Sequence, residues 1–444
     1  MSSPKYEVEE GAGSSSVENL VKPSKSSFLQ SRYIVIIGIV AVVAVVVAVS
    51  IAVPVAVSRR QSDPLTRAKN LMREVPLVDG HNDLPWQLKS NFDNQLQRLD
   101  LNEDTSNKFG SYGHTDIPRL RQGLLGAQFW AAYMSCSAQY KDALSHTLQQ
   151  IDVIKRFVAQ YPDVFEFVTT AQGIMDAFNN GKIGSLIGME GGNGMDSDLG
   201  VLRMLYDLGV RYMTITHSCN TPWADNWTVD RDRNPEFNGL SAWGETLIKE
   251  MNRLGMLIDL SHVSADTMRD SLEVTTAPVI YSHSSAYELC NHYRNVPDDV
   301  LKLVKDNGGV VMVNFYDKYV CCYPKNDTTC DLKVVADHIE YIRDVCGIDC
   351  VGIGSDYDGV TTLPEGLEDV TTYPALIAEL IERSWSDEDI KKLLGLNLIR
   401  AFEEAEKVRD SMKDTMPYDD PIPRAAPGEA DNKCRYYVYN QPSN

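Results

Sequence analysis

The chain has 444 residues, 43% of them hydrophobic, and a formal net charge of −20. That is enough for one large core or two medium ones. The acidic balance argues against a nucleic-acid-binding role, which needs a basic face.

Residues 1–32 are rich in Ser, Glu, Lys and Gly, show no apolar period and read as a disordered cytoplasmic tail. Residues 33–57 are an almost unbroken run of Val, Ile and Ala ended by Arg59-Arg60. The run is long enough to span a bilayer core. It exceeds a signal-peptide core and no good small-x-small cleavage site follows, so a transmembrane signal anchor is expected. Lys22, Lys25 and Arg32 precede the span, while Arg59, Arg60, Arg67 and Lys69 follow it. That count slightly favours the opposite orientation. However, all nine cysteines and the glycosylation sequons at Asn226 and Asn326 fall after the span, and long domains translocate largely regardless of charge. The expectation is a single-pass type II protein of the cell membrane with its large domain outside. The cysteines form no CxxC pair, which removes zinc-ribbon and thioredoxin readings.

Residues 58–73 read as a stalk and first helix, 74–410 as one folded domain and 411–444 as an extended tail. The domain holds eight short apolar runs: Pro76–Asp79, Gly126–Met134, Gly184–Met189, Val210–Thr216, Met256–Leu260, Pro278–Ser282, Gly309–Phe315 and Cys350–Gly354. Most intervals between them carry helical patterns. Buried runs without alternation, separated by helices, indicate a parallel sheet covered on both faces. Eight of them predict a (β/α)8 barrel, with a doubly wound open sheet as the alternative. Ser386-Asp387-Glu388-Asp389 starts a further helix.

Conspicuous ionisable residues follow at least six of these runs: His81 and Asp83, Glu190, His217, His262, His283, and Asp356 with Asp358. In a barrel those ends converge on one mouth. His81 and Asp83, two apart on an extended chain, point the same way and form a ligand pair for a divalent metal. Two further histidines and a bridging Glu190 complete a site in which two metals share a water and lower its pKa. The resulting hydroxide attacks a carbonyl carbon, a carboxylate moves the proton, and a free imidazole stabilises the oxyanion. Asp356 and Asp358 are equally suited to the proton role. His114, His146 and His338 read as ordinary surface residues.

Long ordered motifs then carry a resemblance. Asp79-Gly-His-Asn-Asp-Leu-Pro85, Gly188-Met-Glu-Gly-Gly192, Thr216-His-Ser-Cys-Asn-Thr-Pro-Trp-Ala-Asp-Asn226, Ser282-His-Ser-Ser-Ala-Tyr287, Arg294-Asn-Val-Pro-Asp-Asp299 and Gly354-Ser-Asp-Tyr-Asp-Gly359 together resemble the membrane dipeptidase (renal dipeptidase) family. The resemblance implies two zinc ions, with His81 and Asp83 on one, His262 and His283 on the other, and Glu190 bridging. It implies that His217 polarises the substrate carbonyl and that Arg294, assisted by Tyr319, binds a dipeptide's terminal carboxylate. It assigns the acid/base role to Asp356. It also implies disulfides Cys136–Cys219 and Cys290–Cys322, and a homodimer crosslinked through Cys434; Cys321–Cys330 and Cys346–Cys350 are expected as additions. Two departures stand out: an N-terminal span where well-known mammalian members carry a C-terminal lipid, and Asn193 where the family often has His.

The function expected from this is an extracellular zinc dipeptidase acting on dipeptides, with cysteinyl-glycine conjugates and β-lactam amides within its range. A catalytically silent receptor or adhesion ectodomain, or a hydrolase of cyclic amides, are the alternatives.

Overall fold

Strand ends decide where the site lies, and the computed structural model describes residues 38–47, 63–322 and 330–422. Nine strands are present: β1 (Leu77–Asn82), β2 (Leu125–Tyr133), β3 (Phe165–Phe167), β4 (Ile183–Glu190), β5 (Val210–Thr214), β6 (Leu257–Asp259), β7 (Ile280–Tyr281), β8 (Val310–Val313) and β9 (Val351–Ile353). All pair in parallel, in the order β2-β1-β9-β8-β7-β6-β5-β4, and β2 also pairs with β4. That second pairing closes an eight-stranded ring, so the predicted barrel is the observed one and the open sheet is excluded. The sequence missed β3. It is a three-residue strand pairing with β4 outside the ring through Phe165↔Ile183.

Consecutive side chains along the strands separate into two buried clusters. Val78, Phe129, Leu186, Tyr212, Leu257, Ile280 and Met312 pack in one. Their chain neighbours Leu77, Trp130, Ile187, Met213, Ile258, Tyr281 and Val313 pack in the other. Alternation across a strand thus gives the ring an inner and an outer apolar face, so the runs look uninterrupted in sequence. The Ala143–Gln160, Leu199–Asp207, Ala242–Leu254, Ala265–Val274, Asp298–Asn307 and Leu332–Cys346 helices fall where helical patterns occur. Most carry side-chain caps, such as Ser264 accepting from Thr267 N, which satisfies an otherwise unpaired first-turn amide.

Some expectations change. The Tyr373–Glu382 helix carries no named sequence pattern. The described part of the tail is docked: Arg203 and Trp243 donate to Tyr418 O and Asp420 O. His114 and His338 are buried, not on the surface. The His338 ring accepts from Ala286 N and donates to Val320 O, partners far away in sequence. Of the expected span, residues 38–47 are described, as a helix with exposed side chains. Among the described residues no helix is long and apolar enough to cross a membrane; the rest of 33–57 lies outside them. The disulfides Cys136–Cys219, Cys290–Cys322, Cys321–Cys330 and Cys346–Cys350 are formed. Cys434 and Asn326 lie outside the described residues. Asn226 is buried and its amide donates to Asn220 Oδ1 at 2.6 Å, a placement that does not suit a glycan.

Candidate metal centre

The strand ends meet at a cavity of about 570 Å³ whose lining includes Asp83, Glu190, His217, His262, His283 and Asp356. Arg294 and Tyr319 line it too. Asp358 does not: it faces away and accepts from His114 N at 2.8 Å. Of the two aspartates, only Asp356 lines the cavity. Asn193 is also absent from the lining, and its side-chain amide lies 3.5 Å from Ser135 O.

Glu190, at the tip of β4, sits between two groups of donors. Its Oε2 lies 3.6 Å from His81 Nε2. Its Oε1 lies 3.1 Å from His262 Nε2 and 3.4 Å from His283 Nε2. On the first side His81 Nε2 stands 3.2 Å from Asp83 Oδ2. On the second, the Nε2 atoms of His262 and His283 are 2.9 Å apart. His217 Nε2 stands 3.8 Å from Glu190 Oε1, its ring tilted over His262 at 4.3 Å. The Cys136–Cys219 disulfide flanks His217 on the other side, with Cys136 Sγ 3.8 Å from Nδ1.

Two of these residues hold left-handed backbone, His262 at φ 68° and Asp356 at φ 68°. For non-glycine residues that costs on the order of 1–3 kcal/mol each. Local bonds hold them there: His262 O accepts from Trp227 N and Thr216 Oγ1, and Asp356 N donates to His81 O.

The electrostatics favour a cation. Burial pushes His262 and His283 well below their ordinary values, so both are neutral imidazoles with lone pairs to offer. Burial lowers His217 as well. Burial opposes ionisation of Glu190, yet the charge on His81 and the contacts from His262 and His283 hold it well below the usual carboxylate range. Burial also disfavours charge on His81, but Tyr212, Glu190 and Asp83 drive it well above its ordinary value. The pocket draws positive charge to His81 Nε2. That atom is buried without an aligned hydrogen-bond partner. Asp356 is pushed up to about 8 by burial, with Asp83 and Glu190 adding to the shift.

Among the described residues, His81-Asp83-Glu190 and Glu190-His217-His262 each bring their ligand atoms within 4.8 Å of one another, as do His81, His283 and Asp356. Neutral imidazoles plus carboxylates are the donor set of a borderline divalent ion. The residues present therefore fit a metal site with Glu190 at its centre.

The sequence profile of the membrane dipeptidase family, peptidase family M19, matches residues 65–416. The chain belongs to that family. The family's metallodipeptidase chemistry agrees with the donor set just described. Mouse (Mus musculus) Dipeptidase 3 is 44% identical over 384 residues, 86% of this chain and 74% of that protein. Human (Homo sapiens) Dipeptidase 3 is 45% identical over 376 residues, covering 84% and 74% respectively. Among solved structures, dipeptidase AC, a family M19 metallopeptidase, superposes with a TM-score of 0.67 at 26% identity, covering 74% of this chain and 98% of that one. A metallopeptidase from Rhodobacter sphaeroides, liganded with a phosphinate mimic of the dipeptide L-Ala-D-Ala, gives a TM-score of 0.66 at 25% identity, covering 74% and 99%.

Residue types alone flagged the donors but not what holds them. Asp79 accepts from His81 N, Ser355 N, Ser355 Oγ and the Tyr373 hydroxyl. Asp259 accepts from Ser261 N, Ser282 N, Ser282 Oγ and Thr214 Oγ1. Both lie in apolar runs, and each joins an amide two residues on to groups from distant segments: Ser355 and Tyr373 for Asp79, Ser282 and Thr214 for Asp259.

Proposed function

We propose that the chain hydrolyses dipeptides with a free C-terminal carboxylate, using two zinc ions. His81 and Asp83 hold one, His262 and His283 the other, and Glu190 lies between. When bound, the ions supply Lewis acidity and an activated water near neutral pH.

The observation that carries the substrate class is Arg294. Its guanidinium is buried, lines the cavity, and forms no ion pair among the described residues. It donates to Ser284 Oγ and His283 O, leaving Nε without a partner. A buried fork with spare donors suits a carboxylate bidentately, and Tyr319, whose ring faces it at 5.4 Å, walls the same corner. A substrate whose carboxylate rests on Arg294 brings its carbonyl towards Glu190 and His217. The neutral His217 imidazole steadies charge on the carbonyl oxygen. Asp356, held near neutrality by its surroundings, carries a proton to the leaving amine.

The run at residues 33–57 supports a type II membrane anchor with this domain outside the cell, and Cys434 supports a disulfide-linked dimer. The test of the function is elemental analysis of the purified protein, with hydrolysis of a Gly-containing dipeptide with and without chelator. Near two zinc per chain and chelator-sensitive cleavage are expected. Cleavage insensitive to chelator, or zinc without cleavage of any free-carboxylate dipeptide, would sink the proposal.

A further inference from the structure

Among the described residues, Tyr212 is a phenol inside the barrel that touches a candidate ligand. It stands on β5 and is completely buried. Its hydroxyl donates to Gly80 O at 3.1 Å and lies 2.9 Å from His81 Nδ1. A phenol has one proton, and Gly80 O takes it. The oxygen can then only accept from Nδ1–H of His81. That fixes a proton on Nδ1 and makes Nε2, the nitrogen facing Asp83 and Glu190, the one that gives up its proton to a metal. The ring reaches across because β4 has Gly188 at the crossing: a Cβ there would stand 2.0 Å from the Tyr212 ring. On the other side of Glu190 the same task falls to a different group. Ser282 Oγ donates to Asp259 Oδ2 at 2.6 Å and meets His283 Nδ1 at 2.8 Å. Its proton is likewise committed, so His283 Nε2 is left bare. Partners of this kind typically change metal affinity by about 10–100-fold.

We propose that Tyr212 is a positioning residue: its hydroxyl sets the His81 tautomer and governs metal retention at the His81–Asp83 position alone, while Ser282 governs the His262–His283 position. The proposal rests on the dinuclear reading above. The test uses the full-length protein loaded with zinc, and separately with cadmium. In a graded chelator titration followed by elemental analysis, Tyr212→Phe should release one equivalent at about 10-fold or more lower chelator than wild type, the second unchanged. Ser282→Ala should also release one equivalent early. Cadmium NMR should show each variant perturbing a different one of the two resonances. Tyr212→Phe retaining both ions like wild type, losing both together, or perturbing the same resonance as Ser282→Ala would overturn the assignment while leaving the dinuclear reading intact. Wild-type protein that binds no metal would sink both.

Discussion

The two sides of Glu190 use one construction with different materials. On the β1 side, Asp79 ties His81 N to Ser355 of β9's end. On the β6 side, Asp259 ties Ser261 N to Ser282 of β7's end. Each aspartate accepts two backbone amides and two hydroxyls, and so fixes adjoining strand ends relative to one another. The difference lies one bond further out. The first side adds an anionic ligand, Asp83, and orients its imidazole with a phenol from across the barrel. The second offers two imidazoles, and orients one of them with a serine already tied to the aspartate. The lesson is that a repeated clamp sets position, while the group behind each imidazole sets which nitrogen is presented.

The widest test of this pairing removes what the two sides share. Glu190→Gln should weaken retention of both ions and reduce kcat/KM by more than about 100-fold, measured by metal content and dipeptide hydrolysis. Loss confined to one ion would mean the sides are not joined at Glu190. Next comes Arg294→Ala, which leaves both clamps alone. It should raise KM for a free dipeptide by about 10–100-fold, the scale of a charged hydrogen bond of about 1.5–3 kcal/mol, and leave a C-terminally blocked amide unaffected. Equal loss on both substrates would remove the carboxylate role.

Smaller effects compare the clamps themselves. Asp79→Asn and Asp259→Asn each leave buried donors facing an amide, and should each cost about 1–3 kcal/mol by denaturant titration. If one costs nothing measurable, the two clamps are not equivalent. A further effect, read as a pH profile, concerns Asp356 in chelated protein. Its folded value of about 8 stands above the ordinary 3.8. A raised carboxyl favours the folded state fully below its unfolded value, and that contribution fades as pH climbs from about 4 to about 8. Chelated wild type should therefore lose Tm over that window relative to Asp356→Asn, whose profile is flatter. Parallel profiles would show that the carboxyl is not held protonated.

The barrel was legible because strands buried on both faces leave continuous apolar runs, and because His81, Glu190, His217, His262, His283 and Asp356 each interrupt the polarity pattern at a run's end. What stayed hidden depends on pairing between distant segments. Asp79 and Asp259 read as strand residues until Ser355 and Ser282 are seen against them. Tyr212 looks like one more aromatic of a core strand until Gly188 is found to make way for its ring. His338 has ordinary helix neighbours, and only the backbone of Ala286 and Val320 explains its burial. β3 is too short to show a pattern and borders only one strand.

The closure of the ring carries a consequence for biosynthesis. β1 pairs with β9 through Asp79↔Ile353, and the clamp on His81 needs Ser355 and Tyr373. Nearly the whole domain must leave the ribosome before the first ligand pair acquires its support. A nascent or truncated chain ending before β9 carries His81, Asp83 and Glu190 but no rigid pocket around them. The centre therefore cannot be completed before β9 and Tyr373 are in place, a constraint imposed by the connection of its strands.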